Sequence, residues 1–354
     1  MSTGSAPHAA HRQRSPQMNE LRIGVCYDFR NPPDSGVSHR ALYAEILEQV
    51  QWLDRIGADL VWFTEHHFVE DGYLPSWIPV AGAMAAVTTR VRFGTDICLA
   101  PFNHPIRLAE DLAVLDNLSG GRVEVGLGMG YAPHEFRGFG FPISRRLSLT
   151  NECVEVLQRC FSGERFSYSG KRYRFEDVVI TPGYVQEGGP PLWLAAMSEA
   201  GALRAARYGT HFLPQGPRAT FDRWHGTLAD SGRTPADYRV GIIRSILVTD
   251  DRDTDWPVVR AAERYRMELY RRFFEESGEG FGPGDIEPIP QTWVVGNADA
   301  CVEQLAAFID EFGITDIVTM AVPPGLRPER MGDSLERLFS EVAPRLRARG
   351  PAAA

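Results

Sequence analysis

The chain has 354 residues, a hydrophobic fraction of 44% and a formal net charge of −9, values that are typical of a globular enzyme able to bury a full core. The acidic balance, without a basic run interleaved with aromatics, argues against nucleic acid as a partner. The five cysteines are odd in number and not closely paired, so we predict neither a disulfide framework nor a structural zinc site, and we expect a cytoplasmic location.

The amino-terminal segment has a composition unlike that of the rest of the chain. Residues 1–18 are rich in Ser, His, Arg and Pro and lack the apolar stretch of a secretion signal. We predict a disordered tail at 1–18, followed by one domain at 19–346, and Met18 is a candidate for the natural start. No later apolar run reaches transmembrane length.

Short β-branched and apolar runs alternate with longer amphipathic stretches, which is the pattern of parallel βα units. The helical stretches include His39–Ile56 and Ala298–Phe312, each followed by a glycine suited to a left-handed helix end. Eight runs are predicted strands: 21–27, 59–64, 91–99, 123–127, 192–196, 210–213, 240–248 and 315–320. This repeat predicts an α/β fold, a (β/α)8 TIM barrel, and favours it over an open doubly wound sheet because closure removes the strand edges.

Two segments interrupt the repeat. Residues 162–187 carry short strand signals around a turn at Ser169 and Gly170, and residues 250–290 end in a Gly- and Pro-rich stretch. Long insertions after barrel strands commonly cover the active site. We therefore predict that 250–290 is a lid over the carboxyl-terminal face.

The sequence Thr64-Glu65-His66-His67-Phe68 directly follows the second predicted strand, so its imidazoles should lie at the catalytic rim of the barrel. Neutral imidazole exchanges protons near pH 7, and a neighbouring carboxylate can fix its tautomer. Two loop histidines bound to backbone groups are an equally compatible interpretation. A zinc hydrolase is disfavoured, because adjacent histidines cannot easily face one metal and no H-x-H or H-E-x-x-H spacing occurs, so no metal site is predicted.

Three segments in this order resemble the bacterial luciferase-like flavin-dependent monooxygenase family: DLVWFTEHHF, VRFGTDICLAPFNHPIRLAEDLAVLDNLSGGRVEVGLGMGY and PPLWLAAMSEAGALRAARYG. The resemblance runs from about residue 21 to 209, with a weaker match at 295–320. It implies a two-component monooxygenase that receives reduced FMN from a separate flavin reductase and uses O2, through a flavin peroxide, to oxygenate a small organic substrate. Residues 214–291 match little, and substrate choice is expected to reside there.

The same resemblance assigns the catalytic residues. It gives His66 the main role, assisting formation of the flavin peroxide and controlling its proton, with Glu65 and His67 as supporting residues. It also predicts a non-proline cis peptide bond between Asp96 and Ile97, against the flavin ring.

Glycines 126, 128 and 130 end the fourth predicted strand, and small residues there let the backbone approach a flat ligand. The G-x-G-x-G spacing is not a dinucleotide fingerprint. Gly128 and Met129 stand where luciferases carry a reactive cysteine and a phosphate-binding arginine, so luminescence is not expected and the phosphate must be held elsewhere.

A predicted helix start at Ser198 offers such a place, because free N–H groups and the positive helix end suit a dianion. Serine is also a common helix cap that needs no ligand. Arg146 is a further phosphate candidate, ahead of Arg145. The predicted cofactor-binding residues are Asp96, Ile97, Asn103, Gly128, Tyr131, Arg146, Met197, Ser198, Glu199, Ala200 and Gly201.

Aromatic residues near strand ends, Tyr27, Phe29, Trp77 and Trp193, are candidates for the substrate pocket, although core packing is the more common role of each. Two other functions remain open. One is hydride transfer with a deazaflavin coenzyme, whose longer anionic tail Arg107, Arg137, Arg145 and Arg146 could hold. The other is a non-catalytic flavin-binding subunit. The resemblance also implies a homodimer formed through Trp77–Val87 and 106–118.

Overall fold

The computed structural model describes residues 20–278 and 293–350. The tail predicted at 1–18 and the part of the predicted lid from 279 to 290 lie outside the described residues. The strands are β1 (Arg22–Tyr27), β2 (Leu60–Phe63), β3 (Arg92–Thr95), β4 (Cys98–Leu99), β5 (Val125–Gly128), β6 (Phe166–Ser169), β7 (Arg174–Val178), β8 (Leu192–Ala196), β9 (His211–Pro214), β10 (Gly241–Ile243), β11 (Ile246–Val248), β12 (Val294–Gly296) and β13 (Asp316–Met320).

The α-helices lie mainly between the strands. They are α1 (His39–Ile56), α2 (Trp77–Val87), α3 (Pro105–Ser119), α4 (Pro133–Gly138), α5 (Arg146–Phe161), α6 (Glu199–Tyr208), α7 (Arg218–Asp230), α8 (Arg252–Ser277), α9 (Ala298–Phe312), α10 (Gly332–Arg337) and α11 (Ala343–Arg347). The predicted bounds of α1 and α9 are confirmed, and Gly57 and Gly313 follow them with φ of 102° and 63°. Positive φ values are available to glycine without a steric penalty.

The parallel strands close into a barrel. One sheet has the order β10-β13-β1-β2-β3 and a second has the order β4-β5-β8-β9. Single parallel bridges, Phe93 to Val123 and Phe212 to Val240, join the two sheets at both sides. The predicted (β/α)8 barrel is therefore confirmed, and the carboxyl ends of its strands meet on one face.

Two predicted strands are each divided in the structure. The strand predicted at 91–99 becomes β3 and β4, separated by the cis peptide bond between Asp96 and Ile97, which confirms the predicted bond. The strand predicted at 240–248 becomes β10 and β11. The second of these pairs with β12 in a separate two-stranded sheet, and β12, with three residues, is too short to carry a period-2 pattern.

The insertion at 162–187 forms the antiparallel hairpin β6-β7, with the turn where the sequence predicts it. The segment predicted as a lid contains α8, whose carboxyl-terminal half lies over the carboxyl face of the barrel, against residues that follow β1, β2 and β5. Movement of this segment stays a prediction.

The barrel interior is filled by a compact cluster, so the barrel is not a pore. Its members are Cys26, Leu60, Trp62, Trp193, Leu213, Val318 and Met320. The larger core lies between the strands and the surrounding helices. All five cysteines are buried and unpaired, and among the described helices none has the length and apolar content needed to cross a membrane.

Candidate functional site

His66 is held by a carboxylate from a distant part of the chain. Its Nδ1 lies 2.9 Å from Oε1 of Glu135, a fully buried residue of α4. Because a carboxylate only accepts hydrogen bonds, Nδ1 carries the hydrogen. Nε2 receives no hydrogen bond from residues 20–278 or 293–350, so it is the nitrogen left for a ligand.

Glu135 also orders the backbone at the histidine pair, since the same Oε1 accepts the N–H of His67 at 2.8 Å. Burial opposes ionisation of this carboxyl, but the interactions with His66 and His67 outweigh it and hold the pKa of Glu135 below its ordinary value. A carboxylate that accepts a hydrogen bond from an imidazole in this way fixes the orientation and the tautomer of the ring.

Aromatic rings surround His66. Its ring centroid lies 4.8 Å from that of Tyr73, 5.7 Å from Tyr131 and 5.1 Å from Phe273 of α8. Tyr270 lies 6.0 Å away, and its hydroxyl is 2.8 Å from that of Tyr73. We call these four residues the aromatic wall, and it keeps His66 in surroundings of low polarity, where electrostatic effects are strong.

His67 and Glu65 form a separate pair. Nε2 of His67 lies 2.9 Å from Oε1 of Glu65, and the other carboxylate oxygen accepts the N–H of Leu99 at 3.2 Å. The His67 ring packs edge-on against Phe102 and Phe139. The adjacent histidines therefore lie in different surroundings, and only His66 contacts the aromatic wall.

Asp96 and Ile97 lie at the carboxyl end of β3, as predicted. Gln215 donates to both oxygens of Asp96, at 2.9 and 3.1 Å, and burial raises the pKa of this carboxyl to about 7. A Cβ at Gly128 would lie 1.7 Å from Cδ1 of Ile97, so a larger residue there would displace the isoleucine side chain. The amide of Asn103 donates to the Leu99 carbonyl at 3.0 Å, which ties that side chain to its own loop.

The predicted phosphate site is an exposed helix start. Ser198 caps α6 by accepting the N–H of Gly201 at 3.3 Å, and residues 197–200 are exposed. Arg146 donates to the Gly130 carbonyl at 3.3 Å. The helix start thus has N–H groups free for an anion, as the sequence predicts.

The sequence interpretation missed Arg204, which lies in α6 behind this helix start. Its Nε is buried without a partner among the described residues, and burial lowers the pKa of the guanidinium. A Cβ at Gly201 would lie 3.6 Å from Nη2 of Arg204. A half-buried guanidinium with an unpartnered Nε, beside exposed helical N–H groups, fits a phosphate. No motif indicated it, because an arginine inside a helix is usually solvated.

The four residues predicted to line the substrate pocket have the contacts of core residues. The Tyr27 hydroxyl donates to Gln49 at 2.7 Å, and Phe29 packs on Tyr43. The ring of Trp77 stacks on Phe63. Trp193 lies inside the barrel and donates to Glu124 at 3.0 Å.

The rings that do border His66 come from other segments. Of the aromatic wall, only Tyr131 was singled out from the sequence. The other three rings are contributed by the loop after β2 and by α8, about 200 residues apart in the chain. Sequence spacing carries no signal for such a contact.

The sequence of this chain matches a known protein family over most of its length. A family model described as luciferase-like monooxygenase matches residues 21–316. The chain belongs to the luciferase-like monooxygenase family. Its match to the first curated relatives spans about three-fifths of their length.

One curated relative of this luciferase-like chain is the oxygenase component of a flavin-dependent trigonelline monooxygenase from Acinetobacter baylyi. It is 29% identical over 45% of this chain and 44% of the relative. Among solved structures, the monooxygenase RslO1 from Streptomyces bottropensis has a TM-score of 0.79 and 24% identity over 92% of this chain and 99% of its own.

A second solved structure is an F420-dependent secondary alcohol dehydrogenase in complex with an F420–acetone adduct. Its TM-score is 0.73 at 20% identity, over 92% of this chain and 99% of its own. At such identities these structures establish the shared fold. Both flavin and deazaflavin chemistry are therefore represented on this fold.

Proposed function

We propose that this chain is the oxygenase component of a two-component monooxygenase. It takes reduced FMN from a separate flavin reductase and transfers one oxygen atom of O2 to a small organic substrate. The observation that carries the proposal is the buried His66–Glu135 pair, set in the aromatic wall at the carboxyl face of the barrel. FMN would supply the reaction with O2 when bound.

The protein's contribution is to place and hold a proton. Glu135 keeps the hydrogen of His66 on Nδ1, so Nε2 can accept or donate a proton at the reacting ligand. The aromatic wall and α8 limit access of water to that nitrogen. Exclusion of water strengthens the interaction of the imidazole with charge that develops nearby.

Other residues at the carboxyl face would bind the phosphate and the ring of FMN. The start of α6 and Arg204 would hold the phosphate, with Arg146 as a further donor. Asp96, Ile97 and Gly128 would border the flavin ring. The carboxyl of Asp96, with a pKa raised to about 7, can carry a proton near neutral pH.

Rapid mixing tests the proposal. Protein loaded anaerobically with reduced FMN is mixed with oxygenated buffer, and the flavin absorbance is followed in time. We expect a transient species, distinct from reduced and oxidised flavin, that outlasts the oxidation of free reduced FMN. Oxidation at the rate of free FMN, or failure to bind it, would contradict the proposal.

A second candidate function is hydride transfer with a deazaflavin coenzyme. One observation favours it: a cavity of about 280 Å³ beside Asn103 is lined by Arg145 and Arg172, which could hold a longer anionic tail. Arg107 and Arg137 are already paired with carboxylates. Binding of reduced deazaflavin coenzyme in preference to reduced FMN, measured by fluorescence titration, would decide for this function.

We also propose a homodimer formed through α2 and α3. These helices pack on each other and carry three exposed apolar side chains, Val87, Val114 and Leu118. Exposed apolar surface of this kind often marks an interface. Sedimentation at micromolar concentration should give twice the chain mass, and Leu118→Glu should shift it to that of a monomer.

A further inference from the structure

Two buried arginines beside the aromatic wall have N–H groups that lack acceptors. Arg30 follows β1, and Arg266 lies on α8 above it; their exposed fractions are 2% and 4%. Among the described residues no acceptor reaches Nη1 or Nη2 of Arg30, or Nη2 of Arg266. Such unpaired donors are unfavourable in a protein interior unless a ligand or water satisfies them.

The two guanidinium groups do not lack negative charge. Nε of Arg30 donates to Asp71 at 2.8 Å, and Arg266 donates to Asp28 at 3.1 Å and to Glu263 at 2.7 Å. Three carboxyls thus face two cations, and burial raises the pKa of Glu263. What the cluster lacks is hydrogen-bond acceptors, and an uncharged oxygen would supply them without adding a further negative charge.

The unpaired donors share their surroundings with His66. The guanidinium carbon of Arg30 lies 4.9 Å from the ring centroid of Tyr73 and 5.7 Å from that of Tyr270. The same two rings also contact His66, at centroid distances of 4.8 and 6.0 Å. A ligand oxygen at the arginines would therefore bring the attached carbon skeleton against flat aromatic side chains near the imidazole.

We propose that Arg30 and Arg266 bind the carbonyl oxygen of a flat aromatic ketone. The inference rests on the proposed function, because it names the substrate class of that site. Arg266 and Glu263 lie on α8, whereas Arg30, Asp28 and Asp71 belong to the barrel and its loops. The ketone oxygen would thus add a link between the helix and the barrel, beside the bond from Arg266 to Asp28.

Binding of three bicyclic probes tests this proposal: 1-tetralone, the hydrocarbon tetralin, and 1,2,3,4-tetrahydro-1-naphthoate. Calorimetry is performed with and without oxidised FMN, so that loss of flavin binding, which concerns the proposed function, is seen separately from loss of ketone binding. We expect tetralone to bind at least about tenfold more tightly than tetralin, as hydrogen bonds to charged donors provide. Tetralone should also slow hydrogen exchange of the amides of α8.

Substitutions test whether Arg30 and Arg266 cause the preference for tetralone over tetralin. In Arg30→Met and Arg266→Gln, the affinity for tetralone should fall to that for tetralin, while the affinity for tetralin stays unchanged. Arg271→Gln is the matched control, because Arg271 lies on α8 but is exposed, and within the described part of the chain it pairs with Glu268 and Glu275 on the same helix. Circular dichroism checks folding, and Arg266→Gln carries the test if Arg30→Met does not fold.

Three results would overturn the inference. Equal affinity of the wild-type protein for tetralone and tetralin would remove the carbonyl site. Tightest binding of the carboxylate probe would show an anion site. A ketone preference retained in both arginine variants would place the oxygen elsewhere.

Discussion

The two ends of β1 carry arginines that are buried alike and partnered differently. At the amino end, Arg22 uses Nε, Nη1 and Nη2 in hydrogen bonds to Asp316 and Glu124, and Glu124 also accepts from Arg92. Beyond the carboxyl end, the guanidinium of Arg30 has a hydrogen-bond acceptor only at Nε among the described residues. The arginine at the amino end of β1 therefore has acceptors for its donor nitrogens, whereas the arginine beyond the carboxyl end lacks acceptors at two of its nitrogens.

The difference between the two arginine clusters indicates that the amino face serves stability and that the carboxyl face is suited to binding a ligand. At the amino face, burial opposes the charge on Glu124, but the guanidinium groups of Arg22 and Arg92 hold its pKa well below the ordinary range, so the cluster links β1, β3 and β5 with no donor to spare. At the carboxyl face, no partner among the described residues reaches Nε2 of His66, Nη1 and Nη2 of Arg30 or Nη2 of Arg266. Barrels of this type keep stabilising contacts at the first face and reactive groups at the second.

The largest expected effect is at His66. His66→Ala should lower the rate of substrate oxygenation by about 10²- to 10⁴-fold with the fold intact, as loss of a proton-transferring group does. Glu135→Gln keeps the acceptor but removes the charge, so its loss should be smaller. His67→Ala is the control, and a loss for it equal to that of His66→Ala would contradict the assignment; product formation with a reductase measures all three.

The second effect contrasts the two ends of β1 directly. Arg22→Met should lower the free energy of unfolding by about 3–5 kcal/mol, because it breaks a buried, fully paired cluster. Arg30→Met should cost less than Arg22→Met, since it breaks a single buried ion pair, with Asp71, and at the same time removes two donor nitrogens that lack an acceptor. Urea denaturation compares the variants, and equal losses would show that the two clusters do not differ in this way.

A third effect appears with pH. Burial raises the pKa of Asp96 from 3.8 to about 7, so the folded protein holds this proton more tightly than the unfolded chain. Its contribution to stability is full below about pH 4 and is lost as pH rises to about 7. Relative to Asp96→Asn, the wild-type protein should lose about 2 kcal/mol between pH 5.5 and pH 8. A difference that stays constant over this range would exclude the raised pKa.

The smallest expected effect concerns the cofactor phosphate. Arg204→Gln should weaken FMN binding by about tenfold, because a charged hydrogen bond to the phosphate is lost. Arg207→Gln, an exposed residue of the same helix, should leave the dissociation constant unchanged. Flavin fluorescence titration measures the dissociation constant of FMN for both variants. Equal affinities would show that Arg204 does not bind the phosphate.

The barrel could be predicted because its signals are local. Strand and helix periods repeat along the chain, and the cis bond at Asp96 and Ile97 followed from the family resemblance. The strands predicted at 91–99 and 240–248 are each divided in two, and β12 was not predicted; strands of two or three residues, such as β4, β11 and β12, are defined only by their pairing. The stability of such a strand depends on packing against its neighbouring strand, so the sequence of one segment alone does not predict it.

In the candidate site, the position of His66 could be predicted from the sequence, but its partners could not. The place of His66 follows from its position directly after a strand, since strand ends in a parallel barrel share one face. Its bond to Glu135 spans 69 residues, and the rings of Tyr270 and Phe273 come from α8. Likewise, the aromatic residues chosen for the pocket by their position at strand ends, such as Tyr27 and Trp77, pack in the core, because side-chain direction decides which face a strand-end residue joins.

Local patterns of residues therefore specified the barrel, its catalytic face and His66, because hydrophobic periodicity and glycine helix ends act over a few residues. The folded chain decided which groups meet at that face: the carboxylate behind His66, the aromatic wall, the unpaired nitrogens of Arg30 and Arg266, and Arg204 behind the start of α6. Hydrogen-bond partners and burial are properties of distance in space, and segments far apart in the chain acquire them only when the barrel closes.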